Sequence, residues 1–147
     1  MADIKITRKI DFQNQEKKYI ALLPGSKKTK LSVGVPFFLE MADNIAKKNN
    51  NINFIIPIAP TTNKDEYLFF QSDKNPIAKY YQSKIKKFQK IKHSLFDYVI
   101  ETSKNTKIFL VEKHPAYEIL KECDLAITTV GANTAELAAI RLPMLVV

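Results

Sequence analysis

The chain contains little cysteine, histidine or glycine, and each shortage excludes a class of protein. One cysteine, Cys123, leaves no internal disulfide, and two histidines with it cannot complete a convincing zinc site. The three glycines, Gly25, Gly34 and Gly131, do not have the spacing of the dinucleotide fingerprint, and Gly25 lacks the glycine five positions earlier that a phosphate-binding loop requires. We therefore expect no metal, no cofactor, and neither a kinase nor a classical dehydrogenase.

Long apolar runs and arginine are also scarce. No run approaches the roughly 20 residues of a membrane helix, and residues 1–12 lack the apolar core of a signal peptide, so we expect a cytoplasmic protein. Of the 23 basic residues, 21 are lysine, whereas proteins that read base sequence favour the fork of arginine. The net charge of +8 thus indicates an anionic ligand or surface, or genome composition, and nucleic acid is an unlikely partner.

Apolar segments that alternate between strand and helix patterns predict the fold. The 147 residues, 46% hydrophobic and 26% charged, are typical of one globular domain. Apolar runs predict strands at 19–23, 53–58, 98–101, 107–111, 125–128 and 144–147, with 98–111 as a hairpin. The order predicts an α/β, Rossmann-like open sheet, mostly parallel, with helices on both faces. We expect residues 1–16 to be a leader or linker and 17–147 to be this domain, within a larger chain.

Two helix predictions depend on spacing. Apolar residues recur every three or four positions from Leu31 to Ile45, and Pro36 is expected in the first turn of that helix or at a kink. A similar spacing, from Ile77 through Ile85 and Phe88 to Leu95, predicts a second helix with a lysine-rich outer side. Such a helix could lie on a membrane surface, although a solvated face of a packed helix is the simpler interpretation.

Two strand–helix junctions carry the candidate site. In the first, LPGSKKTK at 23–30, Gly25 permits close backbone approach, Ser26 offers a hydroxyl and Lys27 begins a run of positive charge. Ligands of open α/β sheets bind at the carboxyl ends of the strands, near the point where the strand order reverses. Turns after strands are therefore the places where a phosphate would bind.

The second junction is VGANTAE at 130–136. Gly131 opens the turn, and Asn133 or Thr134 can cap a helix whose free N–H groups favour an anion. Glu136, one turn into that helix, has two interpretations: it accepts hydrogen bonds from ribose hydroxyls, or it complements the helix dipole, an effect of about 0.3–1 kcal/mol. Local pattern alone slightly favours the dipole. His114, after a strand, is more simply a loop residue without a ligand role.

Together the two junctions resemble lipid-A-disaccharide synthases, in a divergent branch. Leu23 to Ser26 match that family's Leu-Pro-Gly-Ser-Arg signature, with Lys27 in place of the arginine and Lys30 in place of an acid. The second signature, Ser-Gly-Thr-Ala-Thr-Leu-Glu followed by Pro-Met-Val-Val, is matched in part. The matches include Gly131, Thr134, Glu136, Pro143 and Met144, and the departures include Val130, Ala132 and Asn133.

The resemblance implies an inverting glycosyltransferase of the two-domain GT-B architecture. It implies a UDP-sugar donor on Gly25, Ser26, Lys27, Gly131, Asn133, Thr134 and Glu136, with the diphosphate at the helix start and the ribose on Glu136. The family transfers an acylated glucosamine to a lipid acceptor at the inner membrane face, which implies peripheral membrane contact. The acceptor pocket belongs to an amino-terminal half that this chain does not contain, so no catalytic residue can be assigned, and the chain alone is expected to be inactive.

Two other functions remain open at this point. A UDP-sugar epimerase-like domain would keep the fold, but it needs further carboxylates in the cleft. A non-catalytic basic module would bind nucleic acid or anionic membrane through residues 80–92, where aromatic side chains alternate with lysines. Steep salt dependence of binding without any response to UDP would favour the basic module.

Overall fold

Seven strands and three α-helices make up the described part of the chain. The structure is a computed structural model, and it describes residues 18–25, 27–58, 65–72, 74–112, 117–129 and 141–147. The elements, in chain order, are β1 (Lys18–Leu23), α1 (Lys28–Lys48), β2 (Ile52–Pro57), α2 (Asp65–Phe70), a 3-10 helix (Pro76–Tyr80), β3 (Ile85–Lys90), β4 (Tyr98–Thr102), β5 (Lys107–Val111), α3 (Tyr117–Leu120), β6 (Leu125–Thr128) and β7 (Met144–Val146).

All seven strands belong to one sheet, in the order β3-β4-β5-β2-β1-β6-β7. The pairs from β5 through β2, β1 and β6 to β7 are parallel. The β3–β4 and β4–β5 pairs are antiparallel, so the predicted hairpin is confirmed. The predicted Rossmann-like, open and mostly parallel sheet is therefore confirmed, as are all six predicted strands to within a residue or two.

The sheet has an apolar layer on each face. Alternate residues of β1 divide between the layers: Ile20 and Leu22 pack with α1 and α2, whereas Tyr19, Ala21 and Leu23 pack with the α3 region. Parallel strands covered on both faces need apolar side chains at every position. This is why the strands appear in the sequence as unbroken apolar runs.

Pro36 lies inside α1, more than two turns after the helix begins at Lys28, so its predicted place in the first turn is wrong. Proline has no N–H to donate to the carbonyl four residues earlier, which here is that of Ser32. The side-chain amide of Asn75 donates to this carbonyl at 2.8 Å, and also to the carbonyl of Phe70 at 2.6 Å. A residue far along the chain thereby replaces the hydrogen bond that the proline cannot make.

The predicted helix across residues 77–95 is wrong. Its place is taken by the short 3-10 helix and by β3, which pairs with β4. A β-bulge shifts the register between Ile85 and Lys87, so that Ile85 lies opposite Thr102 and Phe88 opposite Ile100. The extra residue brings Ile85 and Phe88, three positions apart, to the same face of the sheet. The bulge therefore gives the apolar residues of β3 the three-residue spacing that is typical of a helix.

The lysines of β3 lie on an edge strand and not on an amphipathic helix. Lys86, Lys87 and Lys90 are exposed, and Lys86 Nζ lies 3.7 Å from Glu101 Oε1 on the neighbouring strand. Lysines on an edge strand discourage pairing with other chains. The helical geometry on which the membrane-surface interpretation depended is therefore not present in this segment.

Cys123 is buried in the second apolar layer beside Ile119 and Leu120, and its Sγ donates to the Ile119 carbonyl at 3.6 Å. Burial raises the pKa of this thiol well above its ordinary range, with a smaller contribution from Asp124. Only the thiolate is reactive, so the structure makes Cys123 an inert core residue.

Asn75→Ala is expected to destabilise the fold by about 2 kcal/mol, because it removes the hydrogen bonds that this side chain donates to the Ser32 and Phe70 carbonyls and the one it accepts from Ile77 N. In a Pro36→Ala background the cost should fall by about 1 kcal/mol, since the alanine that replaces the proline can donate to Ser32 within the helix. Urea unfolding of both single variants and the double variant measures this coupling. Asn44→Ala, at an exposed position of the same helix, is the control. Equal costs in both backgrounds would contradict the role assigned to Asn75.

Iodoacetamide is expected to leave Cys123 unmodified in the folded protein at pH 8 and to alkylate it rapidly in denaturant. Since the folded pKa is raised, the contribution of this thiol to stability is present below the ordinary thiol pKa of about 8.5 and declines as the pH rises above it. Mass spectrometry of timed samples reports the alkylation. Similar rates with and without denaturant would show that the thiol is accessible.

Candidate functional site

The strand order reverses at β1, and the candidate site lies at this point of reversal. The chain passes from β1 to β2 on one side, whereas β6 lies on the other side of β1. Leu23 pairs with Thr128 at the ends of the two strands, and the N–H of Thr129 donates to the Leu23 carbonyl at 3.3 Å. The turns that follow β1 and β6 therefore begin side by side at the carboxyl edge of the sheet, the usual ligand site of such folds.

The turn after β1 depends on two glycines. Gly25 has φ of +106°, where other residues are strained, and a Cβ on it would lie 3.4 Å from Lys30 Cβ and 3.7 Å from Thr129 Oγ1. Gly34, in α1, lies against Pro24, where a Cβ would approach Pro24 Cβ to 3.1 Å. Gly25 thus forms the turn, and Gly34 lets α1 pack directly against it.

Lys27 precedes the first residue of α1 and is exposed. Its carbonyl accepts hydrogen bonds from Lys30 N and Leu31 N at 3.0 and 2.9 Å, but its side chain does not cap the helix. The first turn of α1 carries no acidic residue. The positive end of the helix dipole and the charge of Lys27 therefore act at the same place, which favours an anion.

The remaining predicted site residues lie outside the described part of the chain. They are Ser26, Gly131, Asn133, Thr134 and Glu136, and His114 lies outside it as well. What is described is Thr129, the residue before the second junction, which lies beside Gly25. The roles predicted for these residues stay predictions, including the choice between ribose and helix dipole for Glu136.

Sequence reasoning missed Thr129. Its hydroxyl oxygen is among the three heavy atoms nearest to the position a Gly25 side chain would occupy. The available signal was its place directly after β6, because the first residues beyond parallel strands line the ligand edge. Within the described residues, no group of three or more histidine, cysteine or acidic side chains could hold a metal ion.

A parallel sheet with a glycine turn and a lysine at its switch point defines an α/β domain of the Rossmann-like class. Curated proteins with similar sequences are lipid-A-disaccharide synthases. Those from Sulfurihydrogenibium sp. and Persephonella marina are 27% and 25% identical over 133 residues, and that from Francisella philomiragia is 25% identical over 142 residues. These alignments cover 90%, 90% and 97% of this chain but 29%, 28% and 30% of the relatives.

The chain therefore spans about three tenths of the length of these relatives and is distantly related to them. No protein-family model matches the chain. Among the described residues, no helix has both the length and the apolarity needed to cross a bilayer.

Gly25→Ala is expected to destabilise the fold by about 1–3 kcal/mol, because alanine is strained at a φ of +106°. Lys27→Ala, at the exposed position beside the same turn, should leave the stability nearly unchanged and serves as the control. Chemical denaturation of the two variants provides the comparison. Wild-type stability of Gly25→Ala would mean that the turn relaxes without loss and does not require glycine.

Proposed function

We propose that this chain is the UDP-sugar-binding domain of a lipid-A-disaccharide synthase-like glycosyltransferase. The observation that carries the proposal is the pairing of β1 with β6, the two strands that precede the junctions of the candidate site: their carboxyl ends, at Leu23 and Thr128, lie side by side. Each junction alone is a weak motif. Adjacent turns at a switch point can bind the two ends of one nucleotide sugar, and the related proteins are lipid-A-disaccharide synthases.

The chemistry of the described junction supports an anionic ligand with a diphosphate. The ammonium group of Lys27 and the N-terminus of α1 supply positive charge, and the first turn of α1 has no carboxylate to repel phosphate. In transfer from a UDP-sugar, negative charge develops on the departing UDP. Fixed positive charge and N–H groups stabilise such a leaving group. Lys27 offers a point charge where the family's arginine offers a planar fork, so we expect weaker binding than with arginine.

The second junction completes the proposed site. We assign the diphosphate to the turn at Gly131 and to Asn133 and Thr134, and the ribose hydroxyls to Glu136. Ser26 and Gly25 would face the diphosphate or the sugar from the other turn. The transferred group would be an acylated glucosamine or a similar hexose, and the acceptor a lipid at the cytoplasmic membrane face. We assign neither the acceptor site nor the catalytic base to residues of this chain.

Calorimetric titration with UDP and UDP-N-acetylglucosamine tests the proposal. We expect saturable binding, weakened roughly tenfold by Lys27→Ala or Glu136→Ala, since each removes a hydrogen bond to or from a charged group. Lys121→Ala is the control for the lysine, because Lys121 is exposed and precedes β6 at the opposite edge of the sheet. Glu122→Ala, in the same turn, is the control for the glutamate.

Three outcomes would contradict the assignment. Absence of UDP binding at millimolar concentration would exclude a donor site in this chain. If the site variants and their controls lose UDP affinity equally, the effect comes from the change in net charge and not from a contact at the site. If Glu136→Ala alone leaves the UDP affinity unchanged, Glu136 does not bind the ribose, and the helix-dipole interpretation of this residue is the correct one.

A further inference from the structure

A groove runs along the outer surface of the second half of α1. It has a volume of about 270 Å³ and is lined by Phe37, Glu40, Met41, Asn44, Ile45, Lys48 and Tyr81. Tyr81 directly follows the 3-10 helix, and all the other lining residues belong to α1. We call this surface the α1 groove. It begins nine residues after Lys28, or about 14 Å along the helix, so it is separate from the proposed donor site.

Two rows of side chains on α1 form the groove. Residues four positions apart on a helix make a row on its surface. The first, which we call the apolar row, consists of Phe37, Met41 and Ile45, and the second, the polar row, consists of Glu40, Asn44 and Lys48. The space between two such rows is where a row of side chains from another helix packs.

The apolar row is more than α1 needs to pack on its own sheet. The buried side of the helix is already apolar, with Leu31, Val35, Phe38, Leu39 and Ala42 each no more than 1% exposed. The apolar row lies at the margin of this core and stays partly exposed along its whole length. Phe37 also meets Tyr81 edge to face, with ring centroids 6.5 Å apart. Contiguous apolar side chains with polar neighbours are typical of an interaction surface.

The polar row is complementary to itself. It consists of a carboxylate, a neutral amide and an ammonium group at equal spacing. A twofold axis at Asn44 would therefore place Glu40 of each copy beside Lys48 of the other. The two Asn44 amides could bond to each other, because each has both donors and acceptors. The contact of a twofold-symmetric dimer has to match itself in this way.

The charged groups of the polar row are available for such a contact. Glu40 Oε1 accepts a hydrogen bond from Gln82 N at 2.7 Å, which holds the carboxylate in the groove wall, and a carboxylate has further lone pairs to accept with. Lys48 is exposed, and within the described part of the chain it takes part in no ion pair.

We propose that the α1 groove is a contact between two copies of this chain. The two α1 helices cross in antiparallel orientation at Asn44, and the polar row of each copy lies in the groove of the other, against its apolar row. Packing of rows with four-residue spacing places the two helix axes at about 50° to each other. An anionic lipid surface would repel Glu40, and a helix of another protein would need the same charges in reverse order, which a second α1 supplies.

The dimer is expected to be weak. A single crossing of two helices buries less than the roughly 1,200 Å² at which interfaces of standard size begin, so we expect a dissociation constant on the order of 100 µM. The N-terminus of α1, with Lys27, stays outside the contact. This inference is therefore independent of the proposed function, and the two can fail separately.

Sedimentation equilibrium from micromolar to millimolar concentration tests this inference. We expect the mass to rise from that of one chain toward that of two. Glu40→Lys and Lys48→Glu each bring like charges together and should weaken association at least about tenfold. In the double variant Glu40→Lys/Lys48→Glu the opposite charges meet again, so association should return to within about threefold of the wild type.

Lys47→Glu is the matched control, because it makes the same charge change in the same turn of α1 but lies outside the groove. It should change association by less than about twofold. Circular dichroism checks that each variant folds. If Glu40→Lys does not fold, because Gln82 N has lost its acceptor, the comparison of Lys48→Glu with Lys47→Glu decides.

The charge reversals distinguish this contact from other modes of association. Loss of association in Lys48→Glu and its recovery in the folded double variant support the proposal. A single-chain mass at every concentration overturns it and assigns the groove to a different partner. Equal effects of Lys48→Glu and Lys47→Glu also overturn it, as does a folded double variant that does not recover, because association would then occur through another surface.

Discussion

The parallel pairing of β1 with β6 is the constraint on which the candidate site depends. The contact between the two strands begins at Asp124, the residue before β6. Tyr19 N donates to Asp124 Oδ2 at 2.9 Å, and Asp124 N donates to the Tyr19 carbonyl at 2.9 Å. It ends where Thr129 N reaches the Leu23 carbonyl. Between these contacts the register is fixed, because a slip of one residue would turn every side chain of β6 to the other face. Only in this register do Leu23 and Thr128 end the two strands side by side.

The two edges of the sheet have different chemistry, and the difference follows from strand direction. Helix α1 runs antiparallel to β1 and β2, so its positive N-terminus lies at the carboxyl edge with Lys27. Its C-terminus lies at the amino edge with Asp43 and Lys47. One edge therefore offers a helix dipole and a glycine turn to an anion. The other has a buried carboxylate, Asp43, which accepts a hydrogen bond from Thr102, and exposed lysine side chains, Lys47, Lys104 and Lys107.

Most of the fold could be predicted from the sequence, because strands covered on both faces are apolar at every position and this signal is local. The failures had non-local causes. The bulge that gives Ile85 and Phe88 the spacing of a helix is defined by the register with β4. The proline of α1 is accommodated by Asn75, 43 residues beyond Ser32. Gly25 and Lys27 could be identified from their turn, but Thr129 and Asp43 acquire their surroundings only when distant segments pack together.

The order of strands also has a kinetic consequence. On one side, β3, β4 and β5 are neighbours in the chain, and their contacts close short loops. On the other, the hydrogen bond from Tyr19 N in β1 to the side chain of Asp124, the residue before β6, joins positions 105 residues apart. Loop closure over such a distance slows folding. The hairpin side is therefore expected to form before β6 pairs with β1, and the carboxyl edge beside Gly25 is complete only after that pairing.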